Sequence, residues 1–342
     1  MKKIASFLLA MLMFLSLVPT IAFATAQNEQ FDVSLAEIRD VFHDYLKDNS
    51  NSIIPDTFEY YTYIVDQLLD KSDAALLAHP DYDLIHSYMV EYKLAYEDYL
   101  LCSENLVDDN CNVDIVTAIS DTSSCVTYDK NTNKVSFNLT TEFLNQTIAE
   151  IAQANQMQQW SRAAETMPDV SYSYSGSDAA AYARLHANDY NSTYPSYSAD
   201  CTNFVSQCVY AGGIPMYGSN TSVGTYETTS EWYCIYINSL LWLRRYAVTT
   251  SWIRVVDFST YMSNIATKST HTTISSLYNS CTIGDVVQLA DKNTGSAYHS
   301  IIISAKDATS AYYCGHSNDR IDVNIADTLD ESCDDFILFH YN

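Results

Sequence analysis

Apolar positions recur at helical spacing along the first third of the chain. Leu35, Ile38, Val41, Phe42 and Tyr45 stand three and four residues apart behind Ser34, a helix-capping residue type, and Thr62, Val65, Leu68 and Leu69 lie in a second such stretch. A Tyr- and Leu-rich run over 85–101 predicts a third helix. The period then shortens to two. Val113, Ile115 and Thr117 alternate, then Cys125 and Thr127, then Val135, Phe137 and Leu139, and the polar segment 129–134 predicts a hairpin turn between the last two strands. Residues 144–162 read as a further helix. Around Met167-Pro168-Asp169-Val170, and through the Ser and Tyr alternation up to Gly176, no period survives. A linker is therefore placed at 166–177, between an N-terminal α+β domain over 27–165 and a second domain over 178–342.

The second half opens with Ser177 before a helical run over 178–187, followed by a Tyr- and Asn-rich loop over 188–199. Asp200-Cys201-Thr202-Asn203-Phe204-Val205-Ser206-Gln207-Cys208-Val209-Tyr210-Ala211-Gly212-Gly213-Ile214-Pro215 has the grammar of one short helix. Asp200 caps it, the glycines end it and Pro215 prevents continuation. The segment holding Trp232, Trp242 and Trp252 reads as mixed helix and loop, and the end of the chain is strand-like at 285–289, 297–304, 311–314 and 336–339. The fold class expected is α+β, with a helix carrying Cys201 packed on an antiparallel sheet carrying His299.

Composition narrows the function. Among 342 residues, 42 Asp and Glu face 17 Lys and Arg, a net charge of −25, which excludes a polybasic nucleic-acid binder. The 47% hydrophobic content is too high for a disordered chain. Residues 1–26 carry Lys2 and Lys3, an apolar stretch and small-residue triplets ending at Ala24 and Ala26, the pattern of a secretory signal peptide. The mature protein is expected outside the cell, with no stable membrane insertion, because no later apolar run approaches the ~20 residues that span a bilayer. Nine cysteines in an exported chain predict disulfides with at least one thiol left over. Cys201 and Cys208, seven residues apart on one helix, are roughly 10 Å distant and cannot pair with each other.

Cys201 falls at the first turn of its helix, where free backbone N–H groups and the dipole favour a thiolate, so it is the candidate nucleophile. Its base must be a histidine. His299 begins an apolar strand after a polar turn and shares one face with Ile301 and Ile303, a rigid mounting that suits a general base. If residues 307–308 form the following turn, His299 faces His316, which would orient it; Asn318 competes for that role. Asn203 is a candidate oxyanion donor beside the Cys201 N–H. No Walker loop, His-Glu-x-x-His, Cys-x-x-Cys or Gly-x-Ser-x-Gly occurs, and neither a cofactor nor a metal is implied. A zinc site from Cys314, His316 and His299 has no recognised spacing, and residues 129–140 match a calcium loop poorly because Thr140 stands where Glu belongs.

The helix around Cys201, together with Ala179-Ala180-Ala181-Tyr182-Ala183, Ser251-Trp252, Gly284-Asp285-Val286-Val287, His299-Ser300 and His316-Ser317-Asn318-Asp319-Arg320, resembles the amidase domain of secreted Gram-positive bacterial proteins. That family is similar to the papain-like NlpC/P60 and CHAP cysteine hydrolases. The resemblance runs from about Tyr172 to the C-terminus. It implies a nucleophilic Cys on a helix start, a His on the following sheet, a third polar residue on the next strand, and a peptide or peptidoglycan-stem amide as substrate. Ala199 stands where the family often has Gly, and Tyr298 where it usually has Asp. The expected function is that of a secreted cysteine-dependent amide hydrolase. The alternative is a catalytically silent extracellular peptide- or glycan-binding protein whose Tyr190, Tyr194 and Tyr197 stack on ligands.

Overall fold

The computed structural model describes residues 32–49, 52–107, 113–162, 172–240 and 243–342. The signal segment, Cys111, the first half of the expected linker and Trp242 lie outside the described residues. In chain order the elements are α1 (Leu35–Asp48), α2 (Phe58–Leu69), α3 (Ala74–Leu77), α4 (Tyr82–Val107), α5 (Val113–Thr122), β1 (Val126–Asp129), β2 (Lys134–Phe137), α6 (Thr141–Asn145), α7 (Ile148–Arg162), α8 (Gly176–His186) and α9 (Cys201–Ala211). There follow β3 (Gly224–Tyr226), β4 (Cys234–Leu240), β5 (Leu243–Thr249), α10 (Thr250–Ile253), α11 (Val255–Met262), β6 (Thr267–His271), α12 (Ile274–Ser280), β7 (Val286–Asp291), β8 (Ala297–Lys306), β9 (Ala311–Gly315), β10 (Arg320–Asn324), α13 (Ile325–Thr328) and β11 (Asp334–His340). The architecture is mixed α+β.

Ser34 starts α1 with a reciprocal capping box to Glu37, and the stripe Leu35, Ile38, Phe42 and Tyr45 is buried as its spacing requires. The expected hairpin forms: β1 and β2 pair antiparallel, and the turn is held by Asp129, which accepts from the Asn131 N–H and the Thr132 hydroxyl, while Asn133 takes φ 50°. Where alternation at 113–117 predicts a strand, the chain is helical instead. Ile115, Val116 and Ile119 are the buried positions, spacing that one face of a helix satisfies and a strand does not. The single helix expected at 144–162 is broken at Gln146 into α6 and α7, with Thr147 and Glu150 bonding each other's backbone at the restart.

Six strands form the principal sheet in the order β10-β9-β8-β7-β11-β6, every neighbouring pair antiparallel. β7 is buried throughout and β8 over its first eight residues, so both faces of the sheet centre are covered, which is why Ile301-Ile302-Ile303 can run without polar interruption. Helices α8, α9 and α11 pack on β8, and α4 packs on β7 and β8. The segment read as mixed helix and loop contains a second sheet, β3-β5-β4; polar Asn238 and Arg245 on its strands hide the period. One hydrophobic core runs from Leu101, Ile115 and Val116 to Phe204, Trp252 and Ile302.

The contact between α8 and the β7 entrance admits no side chain. Gly284 has φ 90°, and a Cβ there would stand 2.3 Å from the Cα of Gly176. Gly284→Ala should cost more than about 2 kcal/mol, combining left-handed strain with a backbone clash. Urea unfolding at unchanged slope would show it; an unaltered midpoint would mean that the two backbones separate without cost.

Candidate active site

Cys201 opens α9 as expected, but Asp200 in the N-cap position makes no capping bond with its side chain. Its carboxylate is committed elsewhere. Oδ1 accepts from the Tyr197 N–H and from Asn203 Nδ2, both at 2.9 Å, and Oδ2 faces His316 Nδ1 at 2.6 Å. His316 donates its other ring N–H to the His186 carbonyl at 2.9 Å and is sandwiched between Tyr190 and Phe204, with ring centroids 3.8 and 4.0 Å away. Both nitrogens therefore face acceptors and neither is available to His299. Asn203 spends its two amide hydrogens on Asp200 and the Pro195 carbonyl and accepts from Trp252 Nε1, which leaves no donor for an oxyanion.

The Cys201 side chain is 3% exposed, with Sγ 3.7 Å from Thr202 Oγ1 and the Ser300 backbone N–H directed at it. Thr202 and Ser300 hydroxyls are 3.1 Å apart, and Ser300 Oγ accepts from Gln288 Nε2 at 3.2 Å, so a polar chain fixes the start of α9 on β8. Burial pushes the Cys201 thiol up; the Lys93 ammonium pulls it down and the Glu97 carboxylate adds to the rise. Cys201 lines a cavity of about 110 Å³ with Leu94, Glu97, Tyr197 and Val255. A larger cleft of about 610 Å³ shares Leu94 and Val256 with it and is lined by polar Asn155, Ser259, Asn264 and Ser296.

His299 stands on β8 next to Ser300, and its imidazole is buried, 4% exposed. Nδ1 has no hydrogen-bond partner, an unusual state for a buried nitrogen, and no hydrogen bond joins the ring to Cys201 among the described residues. The expected register is off by one residue. Ile302 pairs with Cys314 and Ile303 with Tyr313: the four-residue turn from Asp307 to Ser310, closed by Asp307 accepting from the Thr309 and Ser310 N–H groups, shifts the pairing of Lys306 and Ala311 by two, and an irregularity between Ile303 and Ala305 takes one residue back. Continuing that register sets Ser300, not His299, opposite His316. Asn318 instead lines a small cavity, about 10 Å³, with His299, Ser317 and Asp334, while its Nδ2 donates to Asp70 at 2.6 Å.

Burial first, and the Lys93 charge second, hold the His299 imidazole down to about 3, so it is neutral near neutral pH. Because the unfolded chain binds this proton near 6.5 and the folded chain does not, this site's contribution is fully present above that value and is lost as pH falls toward about 3. His299→Gln should therefore flatten the loss of melting temperature between about pH 6.5 and 4 relative to wild type. Parallel curves for the two proteins would show that His299 does not titrate as its burial requires.

All eight described cysteines are free and buried, and none is disulfide-bonded, so the disulfides expected of an exported chain are not found among them. Among the described residues no cluster of three His, Cys, Asp or Glu is placed to hold a metal, and no helix is long and apolar enough to cross a membrane. Of the tyrosines expected to meet ligands, Tyr190 stacks on His316 and Tyr194 lies parallel to Trp252.

This half of the chain has known relatives. Residues 173–338 match the family model described as "Putative amidase domain". The match supports an amidase-domain family. The matched segment holds Cys201, His299, His316 and Asn318. A protein of Bacillus subtilis (strain 168), described as "Uncharacterized protein YhbB", is 29% identical over 136 residues, 40% of this chain and 39% of that protein. The alignment thus spans about two fifths of that relative's length. No solved structure matches the chain. Lys93 and Glu97, which approach Cys201 from α4, lie outside the matched segment and are not among the candidates that the sequence offers. The signal was there: Lys93 falls four residues after Met89, a position of the buried stripe where an apolar residue belongs.

Proposed function

We propose that the protein is a secreted cysteine-dependent hydrolase of peptide or peptidoglycan-stem amide bonds, built on a papain-like arrangement. The carrying observation is that Cys201 opens α9 with its thiol against the N–H of Ser300, the residue after His299. Cys201 gives its proton to the neutral His299 and attacks the carbonyl carbon, forming a carbon–sulfur bond. The oxyanion meets the free N–H groups of the first α9 turn, that of Cys201 included. His299 returns the proton to the leaving nitrogen as the C–N bond breaks, then takes a proton from the water that attacks the thioester and gives it to the Cys201 sulfur as the carbon–sulfur bond breaks, releasing the acid. The unpartnered His299 Nδ1 and the cavity it shares with Asn318 favour Asn318 over His316 as the orienting group. The polar 610 Å³ cleft adjoining the Cys201 cavity has the size and the amide and hydroxyl lining for an extended substrate.

The test is release of free amino groups from stem peptides by wild type, His299→Ala and Asn318→Ala. His299→Ala should lose roughly 10²–10⁴ in kcat/KM, Asn318→Ala less; full activity in His299→Ala would remove the dyad. A second reading, a silent binding protein on the same fold, is favoured by the burial of Cys201 and His299 to 3% and 4%. Tight stem-peptide binding with no turnover by wild type would decide for it.

A further inference from the structure

Three consecutive residues of β8 carry the site. Tyr298 offers its carbonyl, His299 its imidazole and Ser300 the N–H that faces the Cys201 thiol. β9 pairs with β8 only at residues 302–306, so backbone groups of 298–300 on that side need partners from elsewhere. The Tyr298 carbonyl receives one: Lys93 of α4, 1% exposed, donates to it at 2.6 Å. The same ammonium donates to Glu97 Oε1 at 2.6 Å, and Tyr61 donates its hydroxyl to that carboxylate oxygen at 3.1 Å. Lys93 is thus a buried cation anchored at the strand residue beside His299, and Glu97, its anionic partner, lines the Cys201 cavity.

Resting on the reading of Cys201 and His299 as nucleophile and base, we infer that Lys93 is a positioning residue of the site, locking the Tyr298 carbonyl and holding a positive charge against the strand residue that precedes His299. Glu97 sets how much of that charge the thiol feels. The field favours the thiolate of Cys201 and opposes protonation of His299, so its help to the dyad is confined to the thiol. It also means that the site is completed from outside the matched segment, by α4.

The experiment is the rate of iodoacetamide alkylation of Cys201 in the full chain, followed by mass of the modified peptide across pH. Lys93→Met should slow alkylation at about pH 8 by roughly tenfold, Lys93→Arg should restore most of it, and Glu97→Gln should speed it. A purely structural role moves all three variants in the same direction, in step with their melting temperatures. Opposite signs for Lys93→Met and Glu97→Gln support the inference, and equal rates or a common loss overturn it. These rates need no substrate, so the inference fails separately from the hydrolase reading, which falls if Cys201→Ala still hydrolyses stem peptides. Cys201 unreactive at every pH in wild type overturns both.

Discussion

Cys201→Ala is expected to abolish amide hydrolysis, with kcat falling by on the order of 10⁴-fold or more, while the melting temperature changes little. The first turn of a helix has N–H groups without carbonyl partners, and Cys201 is the residue whose side chain stands there with the Ser300 N–H of β8 facing it. The carboxylates that line the Cys201 cavity are engaged: Glu97 and Asp98 are paired with Lys93 and Arg254, and Glu104 accepts from the Ser198 N–H. Removing one buried sulfur from a wall of a cavity that is already open leaves little new void, so folding should survive. Loss of activity accompanied by loss of the folded state would assign Cys201 to the core instead.

Asp200→Ala should have the largest effect on stability, about 3–5 kcal/mol. A single 2%-exposed carboxylate binds the Tyr197 N–H, Asn203 Nδ2 and His316 Nδ1, so its removal leaves two donors and a ring nitrogen buried without acceptors. The Asn203 amide also holds Trp252, which makes the loss spread into the core. Asp200→Asn keeps an oxygen for the Tyr197 N–H but removes the charge that faces His316, and should lose less. A urea midpoint for Asp200→Ala within error of wild type would mean that the His316 sandwich between Tyr190 and Phe204 holds this corner unaided.

Much of the second half was legible because its signals are local. The end of helix α9 is written in Gly212 and Pro215, and β7, β8, β9 and β11 in short apolar runs. What sequence could not supply is the outcome of competition between local signals. Alternation at Val113 and Ile115 looks like a strand, yet Ile115, Val116 and Ile119 bury together on a helix that packs on α4. The register of His299 against His316 depends on a four-residue turn held by Asp307, which accepts two N–H groups, and on an irregularity between Ile303 and Ala305, neither of which has a sequence mark. Asp200 was read as a cap, and its true partner, His316, is 116 residues away. Lys93 reaches Tyr298 across 205 residues. Contacts of that separation are set by packing, not by spacing.

The measurement closest to the central claim is acid-quenched mass spectrometry of the Cys201 peptide during turnover of a stem-peptide amide, comparing wild type with His299→Ala. The account predicts an acyl adduct on Cys201 in wild type that disappears with time, and roughly 10²-fold or more slower formation in His299→Ala. Turnover of the amide with no adduct at Cys201, and at the same rate in Cys201→Ala, would contradict it.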